Sequence, residues 1–199
     1  MIRPDLKEFL KFSQKGNIIP VYQEIDADLD TPVSAFLKLK KSDYAFLLES
    51  VEGQEKIARF SFLGSNPSLI FKSYNKNIEI IYSQSNQTKR FISAGTPLDE
   101  IKKIMQDFRS VEVPGLPRFY GGLVGYIGYD TVRFFENIPD KNKDDLGIPQ
   151  TLLMLTDTLL IFDRLKQTIK MVNNVILPKS TSIADKKKLY AAALKKIQS

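Results

Sequence analysis

The sequence predicts an α+β fold, mostly antiparallel β-sheet with helices packed on its outer face. Three observations carry that expectation. Between residues 44 and 92 apolar side chains recur with a period of two, in runs separated by short polar turns. Such turns join antiparallel neighbours, because a parallel pair needs a crossover of about a dozen residues or more. Outside that block, helix-period apolar patterns open on capping residues or a first-turn proline.

The elements follow in order. Pro4 sets a helix start and Gly16 a stop, with Leu6, Phe9, Leu10 and Ser13 on one face. A short extended stretch, 21–25, precedes Asp30-Thr31-Pro32, which supplies an N-cap and first-turn proline for a helix carrying Val33, Phe36 and Leu37 to about Lys41. Residues 44–50, 58–63, 68–74, 77–83 and 88–92 then read as five strands of one antiparallel meander, with a tight hairpin at Lys76 between Asn75 and Asn77. Thr96-Pro97-Leu98-Asp99 combines cap, proline and an acid at the third helical position, opening a helix with Leu98, Ile101, Met105 and Phe108 inward. Residues 119–129 form a glycine-rich strand and 151–164 a long apolar strand, which pairs with 168–177 across the turn Leu165-Lys166-Gln167. Ser182-Ile183-Ala184-Asp185 caps a last helix, and 137–149 and 178–181 are loops.

The 199 residues suffice for one globular domain or two small ones. No apolar stretch approaches the roughly 20 residues that span a bilayer. The start Met1-Ile2-Arg3-Pro4-Asp5 lacks the pattern of a signal peptide, and the chain is expected in the cytoplasm. There is no cysteine and no histidine, so disulfides, Cys/His zinc sites, thiol nucleophiles and imidazole acid–base schemes are excluded. A net charge of +6 invites a nucleic-acid reading. However, the basic residues do not cluster with aromatic ones, and the densest run, Lys186-Lys187-Lys188 with Lys195-Lys196, reads as a solvated helix face. Neither a nucleic-acid nor a membrane partner is expected.

Four segments could carry chemistry. Gly121-Gly122-Leu123-Val124-Gly125-Tyr126-Ile127-Gly128 superficially resembles a dinucleotide-binding turn, but such a turn needs a strand before the glycines and a helix after them. Glycines alternating with apolar residues inside a strand instead permit close approach of another backbone or a bulky side chain. In Leu47-Leu48-Glu49-Ser50-Val51-Glu52, a strand ends in a carboxylate and a hydroxyl, with Arg59-Phe60-Ser61-Phe62 beyond Gly53. Glu and Ser at a strand end can bind a small zwitterion, the carboxylate accepting from an ammonium; they also suit a plain solvated strand end. Tyr126-Ile127-Gly128-Tyr129-Asp130 and Thr156-Asp157-Thr158 supply further acids, with no carboxylate pair at a catalytic spacing. Asp157 reads as structural, facing an Arg or a second domain.

Taken together, Leu47-Leu48-Glu49-Ser50, Ile57-Ala58-Arg59-Phe60-Ser61-Phe62-Leu63-Gly64, the run from Phe119 to Asp130, and Met154-Leu155-Thr156-Asp157 resemble the N-terminal region of anthranilate synthase component I, over residues 5–175 and in the family's order. The resemblance implies that 1–199 is a single N-terminal regulatory domain of a protein more than twice as long. The catalytic, chorismate-binding and magnesium-dependent C-terminal half would lie beyond it. It implies no catalytic residue, cofactor or metal site in this segment, magnesium serving the full-length enzyme. It implies part of the feedback site for L-tryptophan, with Ser50 as the leading residue and Glu49 and Leu48 beside it. The implied partners are the C-terminal half and a glutamine amidotransferase subunit, component II, with self-association of the isolated segment. The full-length enzyme would be a lyase making anthranilate and pyruvate from chorismate and ammonia. Aminodeoxychorismate synthase component I, of folate biosynthesis, is the near relative, but Leu48-Glu49-Ser50 favours the anthranilate enzyme. A free-standing amino-acid-binding module is the alternative of another class.

Overall fold

The computed structural model describes residues 2–40, 42–49, 59–83, 85–141 and 143–198. In chain order the elements are β1 (Ile2–Arg3), α1 (Leu6–Phe12), β2 (Ile18–Asp26), α2 (Pro32–Leu39), β3 (Ala45–Leu48), β4 (Phe60–Ser65), β5 (Leu69–Tyr74), β6 (Asn77–Tyr82), β7 (Gln87–Ile92), α3 (Pro97–Gln106), β8 (Gly122–Ile127), β9 (Thr151–Thr156), β10 (Thr158–Asp163), β11 (Thr168–Ile176) and α4 (Ile183–Gln198). A 3-10 helix, Tyr129–Phe134, follows β8. The chain folds into two compact units, one of Met1–Pro67, Phe108–Gly122 and Thr156–Ser199, the other of Ser68–Asp107 and Leu123–Leu155. Antiparallel sheet dominates both, and no helix among the described residues is long and apolar enough to cross a membrane.

The first unit is built on a sheet of order β1-β2-β11-β10-β4-β3, antiparallel at every junction. On one face, α1 and α4 bury Phe9, Tyr190, Ala193 and Ile197 against Ile19, Val21 and Val175. Ala35 of α2 packs with Leu63, Phe162 and Ile169, and Met171 lines both clusters. On the other face Tyr22, Leu159, Ile161 and Val172 pack with Val113, Phe119 and Tyr120. The helix starts are closed as their sequences require. Asp5 and Glu8 form a reciprocal capping box on α1, Thr31 and Ser34 do the same on α2, and the Asp185 N–H donates to Ser182 Oγ at 3.1 Å on α4.

The second unit carries the sheet β7-β6-β5-β9-β8. The β5–β6 hairpin turns through Asn75-Lys76, with Tyr74 opposite Asn77 and Asn75 at φ 53°, a conformation asparagine tolerates. Thr96 and Asp99 box the start of α3, whose Glu100 is buried and accepts from Ser93 Oγ at 2.8 Å.

Several elements differ from expectation. The five-strand meander is divided, with β3 and β4 in the first sheet and β5, β6 and β7 in the second. The long strand 151–164 is two strands, β9 and β10, broken at Asp157 and belonging to different sheets. Both are buried apolar runs, so composition does not reveal the change of sheet. The strand expected at 21–25 begins at Ile18, despite Pro20, because on the side away from β11 the strand β1 pairs only with Tyr22 and Gln23 and the bridge to Ser110 engages Ile18, so neither takes Pro20 as its paired residue. In α2, Ala35, Phe36 and Leu39 face the core, while Val33 and Leu37 are exposed.

Candidate functional site

The sheet register of the first unit gathers one end of three strands. Leu48, the last residue of edge strand β3, pairs with Phe62 of β4, and Phe60 pairs with Asp163, the last residue of β10. Glu49, Arg59, Asp163 and Arg164 therefore meet at one sheet edge, although more than a hundred residues separate the first two from the last two. Asp163 is almost fully buried and accepts from Arg59 in a two-pronged ion pair, Nε to Oδ1 at 2.8 Å and Nη2 to Oδ2 at 2.5 Å. The N–H groups of Leu165 and Lys166 donate to Asp163 Oδ1 at 3.2 Å each, which fixes the β10–β11 turn. Burial pushes the Asp163 carboxyl up, but the Arg59 guanidinium and the Lys166 N–H outweigh it and hold the group below its ordinary value. The same pair raises Arg59. Nearby, Glu24 takes hydrogen bonds from Lys170 and Thr168, the lysine foremost in keeping that carboxyl ionised.

Of the expected site residues, Leu48 is exposed at the strand end, and Glu49 reaches across to accept from Arg164 Nη2 at 2.7 Å. Ser50, with 51–58, lies outside the described residues. Sequence reasoning singled out Arg59 but missed Asp163 and Arg164. Their one local signal is an acid and a base side by side where the apolar run 158–162 ends.

The glycine-rich segment is a strand whose glycines admit a neighbouring backbone. A Cβ on Gly125 would lie 2.0 Å from the Leu152 carbonyl oxygen, and one on Gly128 would lie 2.9 Å from that of Gln150. Tyr126 closes this edge by donating to the Pro149 carbonyl at 2.7 Å. Asp157 meets Lys196 of α4 at 3.2 Å, a lysine where an Arg or a second domain was expected. No group of three or more acidic side chains that could hold a metal ion lies among the described residues. What the strand end presents is a carboxylate and a guanidinium side by side.

Comparison with known proteins gives a consistent result. Residues 43–198 match the family model described as chorismate binding enzyme. The anthranilate synthase component 1 of Acetivibrio thermocellus is 46% identical over 175 residues, which is 88% of this chain and 35% of that protein. That of Aquifex aeolicus is 42% identical, over 84% of this chain and 33% of its own length. Among solved structures, anthranilate synthase component I from Streptococcus pneumoniae aligns with a TM-score of 0.52 and 26% identity, over 88% of this chain and 36% of that one. The chain thus spans about a third of the length of the relatives it matches.

Proposed function

The chain belongs to the chorismate-binding enzyme family, and from that premise we propose that it is the N-terminal segment of an anthranilate synthase component I. Similarity to proteins of that name, covering 84–88% of this chain, carries the reading. The longer enzyme would act in tryptophan biosynthesis in the cytoplasm, converting chorismate and ammonia into anthranilate and pyruvate. Its magnesium and its catalytic groups would reside in the part beyond this segment, and a glutamine amidotransferase, component II, would deliver the ammonia. This segment would contribute the feedback site for L-tryptophan, with Ser50 as its leading residue, Glu49 accepting from the ligand's ammonium and Leu48 offering an apolar contact.

Two measurements test this. Given chorismate, magnesium and ammonium, the 199-residue chain should form no anthranilate, read by its fluorescence; turnover above a protein-free blank would overturn the assignment as regulatory only. In the longer enzyme, Ser50→Phe should relieve inhibition by L-tryptophan and leave uninhibited turnover nearly intact. Inhibition requires that the ligand prefer the inactive state, and a filled pocket removes that preference without touching the catalytic centre. An unchanged inhibition curve would remove Ser50 from the site.

A further inference from the structure

Arg164 has no role in any of the sequence motifs, yet it places a guanidinium against the carboxylate of the candidate ligand residue. We infer that Arg164 is the counter-charge for the ligand's carboxylate, so that Glu49 and Arg164 together recognise the zwitterionic end of an α-amino acid. The inference rests on the proposed feedback site and adds the half of ligand recognition that Leu48, Glu49 and Ser50 leave unassigned.

Three observations carry it. The pair is joined by one hydrogen bond, Arg164 Nη2 to Glu49 Oε1, and among the described residues Glu49 Oε2 and the remaining guanidinium donors of Arg164 make no other bond. Both side chains are reachable, at 44% exposure for Arg164 and 28% for Glu49. The other guanidinium at this sheet end cannot serve, because Arg59 spends its fork on both oxygens of buried Asp163. An α-amino acid carries its ammonium and carboxylate on one carbon, at about the separation of a hydrogen-bonded pair. Laid head to tail on Glu49 and Arg164, it sets the ammonium on the free carboxylate oxygen and the carboxylate on the free guanidinium nitrogens. Every charge then faces its opposite, and the original pair need not break. Guanidinium suits this place better than ammonium because its planar donors can serve two carboxylates at once.

The same backbone brings Asp163 and Arg164 to the site as one unit. Asp163 is locked by Arg59 and by the turn N–H groups, so the Cα of Arg164 is fixed relative to β4, and the Arg164 N–H donates to the Arg59 carbonyl at 2.9 Å. Only the side chain of Arg164 remains to be ordered when a ligand arrives.

The test crosses variants with ligands, using 15N-resolved NMR titration of the 199-residue chain, which measures millimolar dissociation constants and reports folding in the same spectra. The probes are L-tryptophan, tryptamine, which lacks the carboxylate, and indole-3-propionate, which lacks the ammonium. Arg164→Met should weaken L-tryptophan and indole-3-propionate about three- to tenfold, the scale of one partly exposed charged hydrogen bond, and leave tryptamine unchanged. Glu49→Gln should do the reverse, weakening L-tryptophan and tryptamine alone. Arg164→Lys should restore part of the loss, which a merely structural role would not produce. Equal losses for all three ligands, or none, would overturn the role of Arg164 while leaving the feedback site standing. Failure of well-folded wild-type protein to bind any of the three would overturn the feedback site and Arg164 with it.

Discussion

Asp163 shows how a single side chain decides local stability. Its carboxylate is sealed from water and satisfied by Arg59 and two backbone N–H groups, so removing the guanidinium strands a buried charge. Arg59→Met should destabilise the fold, visible as a lower urea midpoint at neutral pH. The pH dependence has a definite sign. The folded-state value of Asp163 lies below its ordinary 3.8, so its stabilising effect is fully present above that value and fades as pH falls through the folded one. Urea unfolding of wild type and Asp163→Asn should therefore converge as pH drops below about 4 and diverge again above it. A constant gap across that range would show that the charge contributes nothing. None of this pairing was legible in the sequence. Arg59 stood out beside Phe60, but its partner lies 104 positions away, and only the register that sets Phe60 opposite Asp163 brings them together.

Among the elements, caps and turns were the legible part. Thr31, Thr96 and Ser182 begin helices as their side chains require, and the two-residue turn at Asn75-Lys76 joins the strands its alternation predicts. What alternation cannot report is which sheet a strand joins, since β9 and β10 are both apolar runs and the chain passes between them at one residue, Asp157. The glycine-rich strand was legible for a physical reason, because a strand interrupted by glycines must be lying close to something. That proximity gives a graded prediction. Gly125→Ala drives a methyl into the Leu152 carbonyl and should cost about 2–4 kcal/mol. Gly122→Ala meets nothing within 4 Å and carries only the strain of φ +125°, about 1 kcal/mol. Thermal melts of the two variants would rank them, and a Gly122→Ala loss equal to that of Gly125→Ala would refute close approach as the reason for Gly125.

For the molecule as a whole, the family was legible because several motifs fall in order along the chain. The segment spans about a third of its relatives' length, and each unit leaves large apolar side chains in water, Leu29 and Leu37 in the first and Ile92 and Leu146 in the second. If L-tryptophan is enclosed by the strand end on one side and by the longer enzyme's C-terminal half on the other, this chain holds half a pocket. Burying an indole is worth a few kcal/mol through apolar area, and loss of one wall returns about 2–3 kcal/mol of it to water. The dissociation constant for L-tryptophan should then be about 30- to 150-fold weaker for this chain than for the longer enzyme. The charged contacts at Glu49 and Arg164 survive in the segment, so the remaining affinity should respond more steeply to salt than that of the complete pocket. Exposed apolar surface that a C-terminal half would cover should also drive self-association at high concentration. Calorimetry on both proteins, with sedimentation of the shorter one, tests these points together. Equal affinities and a strictly monomeric chain would show that the whole pocket lies within these residues and that no second wall is needed.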